Sequence, residues 1–178
     1  RRRWIASLIV VIILVPFVLM GIAQVTGDGL CYTNLHEFYL AHAFLGKMKA
    51  GDYEGAAKYV DRETRRGEFQ ERFTEEELAN YDQDAIDTFV AAAQGYTEMG
   101  GLSGYRFHWG GYASAVVGGE SFDGDTFYRF DFTITVGGKD YLASLEVTDN
   151  GVTNCSVYDN PMGGPQQLNA INVWEYTL

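Results

Sequence analysis

Phe127-Tyr128-Arg129-Phe130-Asp131-Phe132-Thr133-Ile134-Thr135-Val136 alternates side-chain character without a break. Successive side chains on a strand point to opposite faces, so Tyr128, Phe130, Phe132, Ile134 and Val136 share one face. Phe127, Arg129, Asp131, Thr133 and Thr135 share the other, and only the first face is fit for burial. A strand buried on one side belongs to an antiparallel sheet whose second face meets water. Downstream, Gly137-Gly138 reads as a two-residue hairpin turn into Tyr141 to Thr148, and Asn150-Gly151 as another into Val152 to Tyr158. These runs predict a three-stranded meander. Upstream, Tyr105 to Val117 predicts a fourth strand, with Gly110-Gly111 as a bulge that bends the sheet. The tail from Gln166 to Leu178 is extended and able to add an edge strand.

Toward the N-terminus the period becomes helical. Leu35, Phe38, Tyr39, Leu45 and Met48 recur at helical spacing between Thr33 and Ala50, and Gly51 supplies a stop. Asp52 caps a shorter helix striped with Tyr53, Ala56, Ala57 and Val60. Thr74-Glu75-Glu76-Glu77 is a capping box, stapled by Phe73 and Leu78. The helix it starts runs to about Gln94, with Leu78, Tyr81, Ala85, Phe89 and Ala93 inward. Helices first and strands second make an α+β domain, its helices packed on one face of a curved antiparallel sheet.

Ahead of this domain stand Arg1-Arg2-Arg3 and then an uncharged apolar run from Trp4 to Val25. About 20 apolar residues in a helix match a bilayer, and a helix satisfies its own backbone groups there. Basic residues before the run predict a single-pass cell-membrane protein with a cytoplasmic N-terminus and an extracytoplasmic domain. Pro16 in mid-span is a candidate kink. The alternative is a cleaved secretory signal peptide, for which Gly21 and Ala23 are suitable small residues. The stretch Ile5 to Ile22 exceeds the usual apolar region of such a peptide and favours retention. The chain thus divides into a basic start and span (1–26), one outer domain (27–165) and an extended tail (166–178).

Three of the 13 basic residues precede the span and all 24 acidic ones follow it, leaving the rest at −14. Such an acidic domain does not bind nucleic acid through bulk charge. The run Asp61 to Arg72, with Arg62, Arg65, Arg66 and Arg72, is a local basic density, either a helix surface or a meeting point for an acidic partner. Cys31 and Cys155 flank almost the whole domain. An outside location permits a disulfide between them, two unpaired thiols being the alternative.

The phrase Phe44-Leu45-Gly46-Lys47-Met48-Lys49-Ala50-Gly51-Asp52-Tyr53-Glu54-Gly55-Ala56-Ala57, a helix ending in Gly-Asp-Tyr before an alanine-rich helix, precedes the sheet. This order of elements resembles the NTF2-like (cystatin-like α+β) superfamily. Asn160-Pro161-Met162-Gly163 near the end of the sheet, together with a basic start and one span, is similar to the VirB8-like assembly proteins of bacterial type IV secretion and conjugation. Gly164-Pro165 departs from the hydrophobic continuation expected there. The resemblance implies a membrane-anchored module with an envelope protein as partner.

Enzymes resembling this superfamily use acids, tyrosines or histidines inside a cup between sheet and helices. Trp109, Tyr112, Tyr128, Phe130 and Tyr141 are the candidate lining of such a cup, fit for an apolar small molecule, although aromatics at strand spacing also serve as core. Arg129 and Asp131 share a strand face, with Glu146 across from them, as a candidate polar binding face or a solvated ladder. His42 lies on the apolar side of its helix, His108 on the strand face opposite Tyr105, Phe107 and Trp109, and His36 beside Glu37. The histidines lack metal-ligand spacing, and neither Cys-X-X-Cys nor His-Glu-X-X-His occurs. The expectation is a non-catalytic binding or assembly module without metal or cofactor; the alternative is a small-molecule binder or enzyme using the aromatic cup.

Overall fold

The alternating run becomes a strand inside a five-stranded antiparallel sheet whose spatial order follows the chain. Its strands are β1 (Leu102–Phe107), β2 (Tyr128–Val136), β3 (Lys139–Thr148), β4 (Gly151–Tyr158) and β5 (Gln167–Ile171). The computed structural model describes residues 2–26, 29–63, 74–118, 127–158 and 167–171, without the side chains of 2, 3, 79, 82 and 167–171. Gly137 and Gly138 both adopt positive φ (57° and 80°), the conformation whose twist suits a two-residue hairpin. The turn pairs Val136 with Lys139 and carries the register back to Arg129 with Glu146. β5 extends the sheet beyond β4, as the tail's pattern predicts.

Phe130, Phe132, Ile134 and Val136 are buried, together with Ala143, Leu145 and Val147 from β3 and Val152, Cys155 and Val157 from β4. Helix α2 (Leu35–Lys49) packs against this face across β1 to β4. It buries Ala41, Phe44, Leu45 and Met48, while Leu35 and Tyr39 lie on its flank and remain exposed, contrary to the stripe expected from spacing. At the corner after α2, Asp52 caps α3 (Tyr53–Ala57) by accepting from Gly55 N at 2.9 Å, and Lys47 Nζ holds its other oxygen at 2.7 Å. The capping box forms at the head of α4 (Glu75–Glu98): Thr74 Oγ1 accepts from Glu77 N, and Glu77 Oε2 from Thr74 N. Tyr81, Ala85, Phe89, Ala93 and Tyr96 turn inward, and the Phe89 ring meets Phe44 at 5.9 Å. The Phe73 half of the staple, Arg65, Arg66, Arg72 and the Asn160 to Pro165 turn lie outside the described residues.

Helix α1 (Arg2–Thr26) continues through Pro16, and its segment Trp4–Thr26, with mean hydropathy 3.0, is long and apolar enough to cross a membrane. Its side chains from Trp4 to Val15 are exposed, but Leu19, Met20 and Ala23 are buried against the domain.

Two expectations are corrected. The strand expected over Tyr105 to Val117 ends at Phe107, and Trp109–Gly118 forms a helix, α5. His108 is the switch: its N–H donates to Asp131 O across the sheet, and its carbonyl accepts from Tyr112 N as the first turn of the helix. Gly111 gives room for that turn, since a Cβ there would lie 2.4 Å from the His108 ring. The register shift in this strand falls between Leu102 and Gly104, not at Gly110-Gly111. The disulfide is likewise absent, and both thiols are free and buried. Cys31 heads a 3-10 turn (Tyr32–Asn34) where its Sγ lies 3.2 Å from Thr33 Oγ1. Cys155 sits in β4 opposite Leu145, where burial pushes its thiol up to about 12.

Candidate functional site

The cup between sheet and helices is occupied by side chains. Phe38 reaches from α2 onto Phe107, Phe130 and Phe132, at ring separations of 5.1, 5.3 and 5.9 Å. The His42 ring closes on Phe38 at 4.6 Å and Phe132 at 5.1 Å. Of the expected lining residues, Phe130 is therefore core. Trp109 and Tyr112 come from α5 and pack on Phe107 at 4.9 and 5.4 Å. Tyr128 lies at the exposed start of β2, 37% accessible. Tyr141 pairs with Ile134, six residues along that strand and roughly 20 Å away at 3.4 Å per residue. Its ring lies under Lys139 Nζ, 5.2 Å from the centroid. These five aromatics do not converge on one space. A shallow crevice bordered by Ala57, Val60, Arg62, Ala85, Ile86 and Phe89 lies elsewhere and encloses no space for a ligand.

On the opposite face of the sheet Arg129 and Asp131 come together, with Glu146 opposite Arg129 in the register, and a fourth residue joins them that the sequence reading omits. Ser144, buried, accepts from Arg129 Nε at 2.6 Å and donates to Asp131 Oδ1 at 2.7 Å, while Arg129 and Asp131 approach to 3.8 Å. The signal for Ser144 was present in the turn, because pairing Val136 with Lys139 places Asp131 opposite Ser144. Further along the face, Asp140 accepts from Thr135 Oγ1 at 2.6 Å and Arg106 at 3.0 Å, which together hold its carboxyl below the usual range. His108 Nδ1 meets Thr133 Oγ1 at 3.3 Å, on the polar side that alternation predicts.

Chemically this face is a ladder: the Ser144 hydroxyl is engaged by Asp131 and Arg129, and His108 faces Thr133 rather than Ser144. Among the described residues no group of three or more His, Cys, Asp or Glu side chains is placed to hold a metal ion. No protein-family model, no curated protein and no solved structure matches the chain.

His42 supplies a pH test of the filled cup. Burial holds its imidazole below the ordinary value of 6.5. The unfolded chain therefore takes the proton first, so His42's contribution is present above about pH 6.5 and is lost as the pH falls below it. In urea titrations of the detergent-solubilised chain, wild type should lose more stability than His42→Phe between about pH 7.5 and 5.5. Equal losses would show that this ring is not desolvated by its aromatic neighbours.

Proposed function

We propose that this chain is a single-pass membrane protein whose outer α+β domain is a non-catalytic, NTF2-like binding or assembly module. The observation that carries the reading is the pairing of an exposed apolar helix, Trp4 to Val15, with a cup that Phe38 fills. An apolar helix left uncovered by the described residues has a bilayer as its natural surroundings. A sheet whose concave side is packed and whose polar side is a satisfied ladder has a surface to offer rather than a reaction chamber. The basic start predicts that this surface faces away from the cytoplasm, toward another envelope protein. A VirB8-like role in a secretion or conjugation apparatus is a narrower form of the same proposal, resting on Asn160-Pro161-Met162-Gly163.

The test is affinity purification of the full-length protein, gently solubilised from membranes. A stoichiometric membrane partner is expected, lost when Trp4 to Val25 is exchanged for an unrelated span. Release of the domain into the soluble fraction with the first 25 residues removed would establish the signal-peptide alternative. Recovery of the protein alone with a bound small molecule would transfer the function to the cup.

A further inference from the structure

We propose that α5, with Tyr32 beside it, is a membrane-interface helix that seats the domain in the outer leaflet; this rests on reading α1 as a span. The apolar segment Trp4–Thr26 measures about 34 Å at 1.5 Å per residue, close to the roughly 30 Å of bilayer hydrocarbon. The domain, however, does not wait for that helix to end. Tyr32 Oη donates to Phe17 O at 2.9 Å, and Leu19, Met20 and Ala23 are buried against the domain. The helix ahead of these contacts, Trp4 to Pro16, is about 20 Å long and falls roughly 10 Å short of the hydrocarbon thickness. The missing depth is spanned by the part of α1 that the domain already touches. The side of the domain that flanks it therefore reaches past the headgroups into the outer part of the acyl region.

That side has the composition of an interface. α5 packs on α1 and is tied to the segment following it by Tyr112 Oη donating to Leu30 O. No charged residue occurs in Trp109-Gly110-Gly111-Tyr112-Ala113-Ser114-Ala115-Val116-Val117-Gly118. Tyr112 and Val116 face the core, while Trp109 (44% accessible) and Val117 (76%) are left exposed. Tyr32, also half exposed, carries its phenol against α1, on Phe17 O. Tryptophan and tyrosine concentrate at the membrane boundary, where an apolar ring and a polar edge are both accommodated. A lipid surface is the occupant that this uncharged patch and its continuity with α1 call for.

Trp4 and Trp109 make the two claims separately readable. The full chain is reconstituted into phosphatidylcholine vesicles carrying bromine on the acyl chains, with Trp109 alone (Trp4→Phe, Trp174→Phe) or Trp4 alone (Trp109→Phe, Trp174→Phe). Loss of most of the fluorescence is expected from both, with Trp109 responding more to shallow than to deep bromines. Val117→Asp, at an exposed position, should weaken the quenching of Trp109 and shift its emission to the red. Quenching of Trp4 with Trp109 unquenched would overturn the interface helix and leave the span standing. An unquenched Trp4 would overturn the span reading and this inference with it.

Discussion

Truncating Phe132 to alanine should destabilise the domain by about 3–5 kcal/mol. Its side chain is fully buried and meets the rings of Phe38, His42, Tyr105 and Phe107. Removing it leaves a void that four neighbours from two layers cannot all fill at once. Against a total of about 5–15 kcal/mol for a typical domain, the loss is large, and it should lower Tm by roughly 10 °C or more. Tyr128→Ala is the internal comparison. Tyr128 shares the face of Phe132 but lies at its open end, so the cost there should stay below about 1 kcal/mol. Denaturant titration of both variants in detergent measures the difference. A small loss at Phe132 would mean that the cup tolerates an opening, which would revive the small-molecule reading.

Gly151→Ala is the second large effect, expected at about 3–4 kcal/mol from backbone strain and lost hydrogen bonds together. Gly151 has φ 146°, and a Cβ there would lie 2.5 Å from Tyr59 O and 2.8 Å from Asp61 N. Both are backbone atoms, so the methyl group has nothing soft to displace. The segment it would push away carries Val152 N donating to Tyr59 O and Asp61 N donating to Val152 O. It also carries the buried Asp61 carboxylate, which accepts from Thr148 Oγ1. Loosening this seam separates the segment after α3 from the β3–β4 hairpin. Amide exchange at Val152 and Asp61 should accelerate in the variant, alongside its lower denaturation midpoint. Unchanged protection there would show that the hairpin and the Val60 segment are not held as a unit.

Most of the sheet was legible because its signals are local. Alternation along β2 names the buried face, and the glycine pair after Val136 fixes the register, so even Ser144 was within reach by counting back from the turn. The Gly51 stop after α2, the Asp52 cap of α3 and the capping box of α4 act within four residues and read directly. The apolar run of α1 reads by composition alone.

What one dimension does not carry is where side chains from distant segments meet. Trp109 to Val117 is rich in aromatic and β-branched residues and reads as strand by propensity, yet it is helical. Docking on α1 and the Tyr112 bond to Leu30 O outweigh a preference worth at most about 1 kcal/mol. The cysteines looked paired because they bracket the domain, but spacing along the chain says nothing of separation in space. Leu35 and Tyr39 fit the helical stripe but lie on its exposed flank. Whether the aromatics made a pocket or a core was decided by Phe38, a residue of a different element that fills the space among them. Periodicity, turns, caps and the apolar run of α1 belong to the sequence, because each is set by residues close together in the chain. The filled cup, the helix in place of a strand and the depth at which the domain grips α1 belong to the tertiary structure, because each is a competition between surfaces that only packing brings together.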